Sequence, residues 1–251
     1  MFFRFLWNGI KPLKKLYMKN NIKHIFFDLD NTLWDTDKNS KLTLKNIYEN
    51  LKIEEKYQLQ FSDFYISYYN RNENLWSLYR QDKVSKADIL EKRFRDTFLE
   101  FHINDPAIWD YFNANFLTQI MENNNLIEYA EEILKYLKTK GYQLHVVSNG
   151  FVIQTEQKVQ ETCIKDYITS LTSGEEINKR KPAKEVFELG LKKAHALVNE
   201  SAFIGDDWEA DVLGSQRIGM YPVYFNYKKE DHYKNAEIPI IKNLLELKNI
   251  F

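Results

Sequence analysis

Cysteine is almost absent from this chain of 251 residues: Cys163 stands alone, so no internal disulfide can form. That fits a reducing, cytoplasmic setting, and a lone cysteine of this kind is most often a small packing residue. Net charge is nearly absent too. With 35 Lys and Arg against 36 Asp and Glu, the formal charge is -1. Nucleic-acid binding normally needs a basic face, so no such partner is expected, although Lys179-Arg180-Lys181 is a local anion site in waiting. Long apolar runs are missing as well. The stretch from Phe2 to Ile10 is interrupted by Arg4 and is far shorter than the ~20 residues of a spanning helix. It lacks the leading charges and small-residue cleavage site of a signal peptide. Met18 directly precedes the first strand signal, so residues 1–17 read as an extension ahead of the true start, with a short membrane-surface anchor as the rival reading.

What is present is a sizeable apolar fraction, 44%, and a rhythm. Short buried-strand runs recur at Ile22–Asp28, Tyr142–Ser148, Tyr167–Thr172, Ser201–Gly205 and Met220–Phe225. Helical patterns fall between them: Leu126–Lys140 with Gly141 as its stop, Phe151–Thr162, Pro182–Ala196 with Pro182 in the first turn, and Glu209–Ile218. Strands alternating with helices of this length imply parallel βαβ units. The expected fold is α/β, a Rossmann-like doubly wound parallel sheet. Residues 38–123 break the rhythm: they contain no buried strand and carry aromatics at helical spacing, among them Phe61, Phe64, Tyr65, Tyr68, Phe94 and Phe98. They read as an α-helical domain inserted after the first strand, with 18–37 and 124–251 forming the core. For any one of these aromatics, packing inside a small bundle is the commoner role; Trp76 and Tyr79 are the candidates to face a substrate.

In open parallel sheets, ligands bind beyond the carboxyl ends of the strands. Asp28, Ser148 and Asp206 all fall at such ends, so separated motifs converge on one crevice. Asp28 and Asp30 lie two apart. Displacement at a phosphate monoester needs an in-line nucleophile, charge neutralisation and a proton for the leaving alkoxide. Asp28 can be that nucleophile and Asp30 the acid and then the base. A carboxylate approaching a phosphate dianion needs a hard cation, and Mg²⁺ suits oxygen ligands. An Asp-x-Asp pair alone is also what a solvated turn looks like; Ile25-Phe26-Phe27 before it and Thr32 after it favour a site.

Ser148-Asn149-Gly150 offers a hydroxyl and backbone N–H groups to a phosphoryl oxygen, or simply a capped turn. Lys181, ahead of Pro182, can pair with Asp28 and the phosphate; Lys179 and Arg180 compete for that role. Asp206, Asp207 and Asp211 crowd a strand end, and a bound cation is the simplest compensation. Asp206 is the direct ligand candidate, and Asp207 and Asp211 are supporting acids.

Taken in order, Asp28-Leu29-Asp30-Asn31-Thr32, Ser148, Lys181-Pro182 and Gly205-Asp206 with Asp211 resemble the four motifs of the haloacid dehalogenase (HAD) superfamily. The resemblance runs from about Ile22 to the C-terminus. It implies a Mg²⁺-dependent hydrolase that forms an aspartyl-phosphate. Asp28 is then the nucleophile and Asp30 the acid/base. Asp28, Asp30 through its carbonyl, and Asp206 are the metal ligands, and Ser148, Asn149, Gly150 and Lys181 bind the phosphoryl group. The insertion resembles a family cap domain. Dehalogenases lack the second motif-one acid, so Asp30 argues for ester hydrolysis. Asn149-Gly150-Phe151, Asp166-Tyr167, Ser173-Gly174-Glu175-Glu176, Glu209-Ala210-Asp211 and Leu75-Trp76 resemble the bacterial pyrimidine 5'-nucleotidase branch. Ile177-Asn178-Lys179-Arg180 departs from it, because relatives carry small or apolar residues there. The expected substrate is therefore a pyrimidine nucleoside monophosphate. A sugar phosphate or other small phosphate ester is the alternative, and a phosphomutase or non-catalytic binding module stands further off.

Overall fold

The computed structural model describes residues 21–228 and 238–251; the readings of residues 1–17 and of Met18 lie outside them. The sequence from His24 to Phe27 is β-branched and aromatic and forms β1, buried at Ile25, Phe26 and Phe27. Four further strands follow at the expected places: β2 (Gln143–Ser148), β3 (Ile168–Ser173), β4 (Ser201–Gly205) and β5 (Tyr221–Phe225). A two-residue β6 (Ile240–Ile241) completes a six-stranded sheet in the order β3-β2-β1-β4-β5-β6. Every pairing is parallel. β1 therefore lies centrally, with β2 on one side and β4 on the other. The order reverses at this point, which is where a crevice opens beyond the strand ends.

Parallel strands are buried on both faces, and the side chains divide accordingly. Ile25, Phe27, Leu144, Val146 and Ile204 join one apolar cluster with Ile133, Leu134 and Leu137 of α6 (Ala130–Thr139). Phe26, Val147 and Phe203 join another with Val186 and Phe187 of α8 (Lys184–Ala194). α7 (Val152–Gln160) follows β2 and contributes Val159 to the first cluster.

Between β1 and β2 the chain forms α1 (Thr36–Asn50), α2 (Ile53–Tyr57), α3 (Phe61–Arg80), α4 (Lys86–Glu100) and α5 (Pro106–Gln119). α4 begins with a reciprocal cap, Ser85 with Asp88, and α5 with Asp105 ahead of Pro106. The aromatics of this stretch pack on one another, with Phe64 5.1 Å from Phe98 and Phe94 and Phe98 each 5.2 Å from Phe112, and they continue the apolar cluster that covers one face of the sheet.

Three expectations need correction. The helix expected at Leu126 starts at Ala130, because Leu126 pairs with Trp34 in an isolated bridge and Tyr129 takes a left-handed conformation. Pro182 is not in the first turn of α8; Ala183 caps a helix that begins at Lys184, since the Lys181 backbone is held by Asn149 instead. The helix expected from Glu209 opens as a π-helical turn, Trp208–Leu213, before α9 (Gly214–Ile218). Such wide turns recur at functional sites.

Candidate active site

The chain leaves β1 into a tight turn. Asn31 N–H donates to the Trp34 carbonyl, and Leu33 and Trp34 N–H donate to that of Leu29. The Asp30 carbonyl stays outside this bonding. Asn31 sits in the left-handed region, which Asn tolerates better than most residues. The turn thus fixes Asp28 and Asp30 at the mouth of the crevice.

Each acid has its own lysine. Lys181, 1% exposed, places its ammonium 2.6 Å from Asp28 Oδ1, 2.7 Å from Asp211 Oδ1 and 2.7 Å from the Val147 carbonyl. Between the three basic candidates of the 179–181 cluster the geometry therefore singles out Lys181; Arg180 turns away to Asp82 and stacks 3.8 Å from the Tyr79 ring. Asp30 instead pairs with Lys158 of α7 and accepts from Thr36 Oγ1 at 2.6 Å. Ser148 Oγ lies 3.5 Å from Asp30 Oδ2, so β1 and β2 face the same point.

The carboxyls differ in proton affinity. Burial pushes Asp28 up, to about 7, with Asp211 and Asp30 adding to it against the pull of Lys181. Burial also raises Asp206 well above the ordinary range, helped by Asp28 and Asp211. Asp30 also loses hydration, but Lys158 and Thr36 outweigh that and hold it below the usual carboxylate range.

Oxygens of Asp28, Asp206 and Asp211 lie within 4.8 Å of one another. This cluster fits a divalent cation: all donors are hard oxygens, and a single ammonium, Lys181, contacts it among the described residues. Asp211 is engaged on both sides. Its Oδ1 meets Lys181 and its Oδ2 accepts from Asp207 N–H at 3.1 Å. Asp206 retains one neutral donor, Thr32 Oγ1 at 3.3 Å. Of the three clustered acids, Asp28 and Asp206 therefore have the carboxylate oxygens best placed to hold a cation. Gly205 belongs to this arrangement, because a Cβ there would lie 2.2 Å from Asp211 Oδ2.

The other expected site residues fall as follows. The Asn149 carboxamide grips the Lys181 backbone at both ends, accepting at Oδ1 from N at 2.7 Å and donating from Nδ2 to O at 3.0 Å, which fixes the side chain against Lys181. Gly150 N–H donates to Ser148 Oγ at 2.9 Å. Asp207 caps the π-turn through Ala210 N–H and meets Arg80 of α3 at 3.3 Å. Trp76 lines the crevice, whereas Tyr79 is buried against Trp76, Phe151 and Arg180. Lys158, Thr36 and Arg80 escaped sequence reasoning: each is an ordinary helical residue with no local motif, and only the fold brings it to an acid.

The crevice encloses about 200 Å³. One wall holds the acids, Ser148 and Lys181, and the other comes from α3, α4 and α5, including Tyr68, Asn72, Trp76, Arg93 and Phe116. Ion pairs cross between these halves, Lys86 to Glu175 at 2.8 Å and Arg80 to Asp207.

The parallel sheet thus gathers four acids and two lysines at its switch point. The chain belongs to the haloacid dehalogenase-like hydrolase family, whose pattern it matches over residues 25–224. It is 28% identical to glyceraldehyde 3-phosphate phosphatase of Pyrococcus furiosus, covering 91% of this chain and 95% of that protein. It is 23% identical to the pyrimidine 5'-nucleotidase PynA of Streptococcus pneumoniae, covering 86% and 88%. Its fold is similar to that of the HAD hydrolase YfnB from Bacillus subtilis bound to magnesium, with a TM-score of 0.79 and 21% identity over 92% of this chain and 98% of the other. The parallel α/β fold and membership among HAD hydrolases with phosphatase relatives agree with the sequence reading. Among the described residues no helix is long and apolar enough to cross a membrane.

Proposed function

We propose that the chain is a Mg²⁺-dependent phosphate monoester hydrolase working through phosphorylated Asp28, with pyrimidine nucleoside 5'-monophosphates as substrates. The observation that carries this reading is the split pairing of two neighbouring acids, Asp28 with Lys181 and Asp30 with Lys158. We read residues 38–123 as its cap domain and 18–37 with 124–251 as its catalytic core.

In this reading Asp28 attacks phosphorus opposite the ester oxygen. The phosphorus–oxygen ester bond breaks as Asp30 hands its proton to the departing alkoxide. The same carboxylate then takes a proton from the water that attacks the aspartyl-phosphate, and Asp28 is released with inorganic phosphate. Asp30 rests in the ionised state, and an approaching phosphoryl dianion raises its proton affinity so that it takes up from solvent the proton it later hands to the alkoxide. Ser148 Oγ and the Asn149 N–H hold the phosphoryl oxygens, and Lys181 joins them by exchanging one of its three present acceptors for a phosphoryl oxygen. Asp28, Asp206 and, as the family resemblance implies, the Asp30 carbonyl would hold Mg²⁺, which would supply charge neutralisation.

The nucleotide assignment is supported by the branch resemblances, by Trp76 in the cleft wall, and by PynA among the relatives. A triose or other sugar phosphate is the second reading, favoured by the P. furiosus relative. A panel of nucleotides and sugar phosphates, assayed for released phosphate with Mg²⁺ or with chelator, tests both. Turnover should require Mg²⁺ and vanish in Asp28→Asn. Activity indifferent to chelation or to that substitution refutes the mechanism, and preference for sugar phosphates refutes the nucleotide assignment alone.

A further inference from the structure

Arg93 of α4 is 2% exposed and lines the same cleft as Asp28. Its Nε and Nη2 have no hydrogen-bond partner, and it makes no ion pair among the described residues. A buried guanidinium is ordinarily paired, because leaving its donors unmet is unfavourable. The neighbours here cannot meet them. Its central carbon sits 4.8 Å from the ring centroids of Phe94 and Phe116; these faces attract the cation but accept no directed bond in its plane. Tyr68 is the ionisable neighbour it feels, and burial draws the arginine's proton affinity down. Tyr68 itself is stacked 5.2 Å from Phe94 and edge-on to Phe116.

We infer that Arg93 selects the leaving group by donating to an oxygen edge at the end of the substrate remote from the phosphoryl group, the carbonyl edge of a pyrimidine ring. This rests on the nucleotide reading above and deepens it. The planar fork of a guanidinium presents parallel donors to planar acceptors, and every common pyrimidine carries a ring carbonyl. The surrounding cleft wall supplies flat apolar contact from Tyr68, Trp76 and Phe116, which suits a heterocycle better than an open sugar chain. Asp28, Asp30, Asp206, Lys158 and Lys181 line the cleft from the sheet side, whereas Arg93 lines it from the helices, together with Asn72 and Glu73. A purely packing role predicts something different: an arginine that merely fills space between two phenylalanines should discriminate among no substrates.

The test compares uridine 5'-monophosphate with ribose 5-phosphate, which keeps the scissile ester and lacks the base. In Arg93→Met the ratio of kcat/KM for the nucleotide over the sugar phosphate should fall about 10- to 100-fold, mainly through KM. The melting temperature should hold or rise, because an unpaired buried charge is removed. Should the methionine variant fail to fold, Arg93→Lys keeps the charge without the planar fork, and the same fall in ratio is expected. A ratio within threefold of wild type in the folded variant overturns the inference while leaving the nucleotide reading intact. A wild-type enzyme that cleaves ribose 5-phosphate but not the nucleotide overturns both.

Discussion

Asp206→Asn should make the metal-free protein more stable and the enzyme inactive. Asp206 shares a pocket with Asp28 and Asp211, with oxygens within 4.8 Å. Like charges at that separation repel by about 3 kcal/mol at an effective dielectric of 20. Lys181 neutralises much of the field from Asp28 and Asp211, so the net relief should be about 2 kcal/mol. Asparagine keeps the volume and retains an Oδ1 to accept from Thr32, so no cavity or orphaned hydroxyl offsets the gain. For a protein of this size that is about 4–8 °C in melting temperature. The assay is thermal unfolding in EDTA and in Mg²⁺. Wild type should gain about 3 kcal/mol when Mg²⁺ stands at 100 times its dissociation constant, and the variant should gain almost nothing. A variant less stable than wild type in EDTA, with its Mg²⁺ shift intact, would show that Asp206 is a structural partner of Thr32 and refute its place beside the cation.

Removing the lysine from the same cluster should do the reverse: Lys181→Met leaves Asp28 and Asp211 unpaired in the interior and should lose about 3–5 kcal/mol of stability, partly restored by adding Asp211→Asn. Urea unfolding of the single and double variants checks this, and an undiminished midpoint in the single variant contradicts it. Lys158→Met frees Asp30 from its partner and should lower kcat about 10- to 100-fold with the fold preserved; activity within twofold of wild type would show that Lys158 is dispensable. His145, buried between Phe26 and His24 and bonded to Ser170, is held down to about 4 by burial and then by His24. The unfolded chain takes up that proton below pH ~6.5, so this contribution is complete above pH 6.5 and is lost as pH falls through about 4, at most about 3 kcal/mol. In His145→Leu the stability slope between those pH values should flatten, and an unchanged slope removes His145 as its source.

The strand runs were legible because a parallel sheet buried on both faces demands continuous apolar residues, as at Ile25–Phe27 and Ala202–Ile204. The alternation of those runs with helices was enough to bring Asp28, Ser148 and Asp206 to one edge. Partnerships were harder to read. Lys158 is a mid-helix lysine whose meaning depends on α7 crossing above Asp30, and nothing in its neighbours in sequence distinguishes it from Lys165. Pro182 misled because proline is common in first helical turns, whereas here the backbone of Lys181 is clamped by Asn149. Tyr79 and Trp76 are three residues apart on one helix face, yet one packs and the other lines the cleft; amphipathic spacing finds the inward face of α3 but not where that face runs out of core and meets the cavity.

The origin of the two cleft walls also bears on how the chain accommodates substrates. All the groups proposed for phosphoryl transfer lie on β-strand ends or on the α7 and α8 segments, where sheet pairing fixes them. All the groups proposed for the leaving group, Arg93 and Trp76 among them, belong to α3, α4 and α5, outside the strand ends. A substitution in those helices can alter the shape and polarity of the far wall without moving Asp28, Asp30 or Lys181. The sequence on that wall is therefore free to diverge while the acids stay in place, which is what relatives named for a triose phosphate and for pyrimidine nucleotides on one fold would require. Substrate preference should accordingly follow an exchange of residues 38–123 with a relative, while dependence on Asp28 should not.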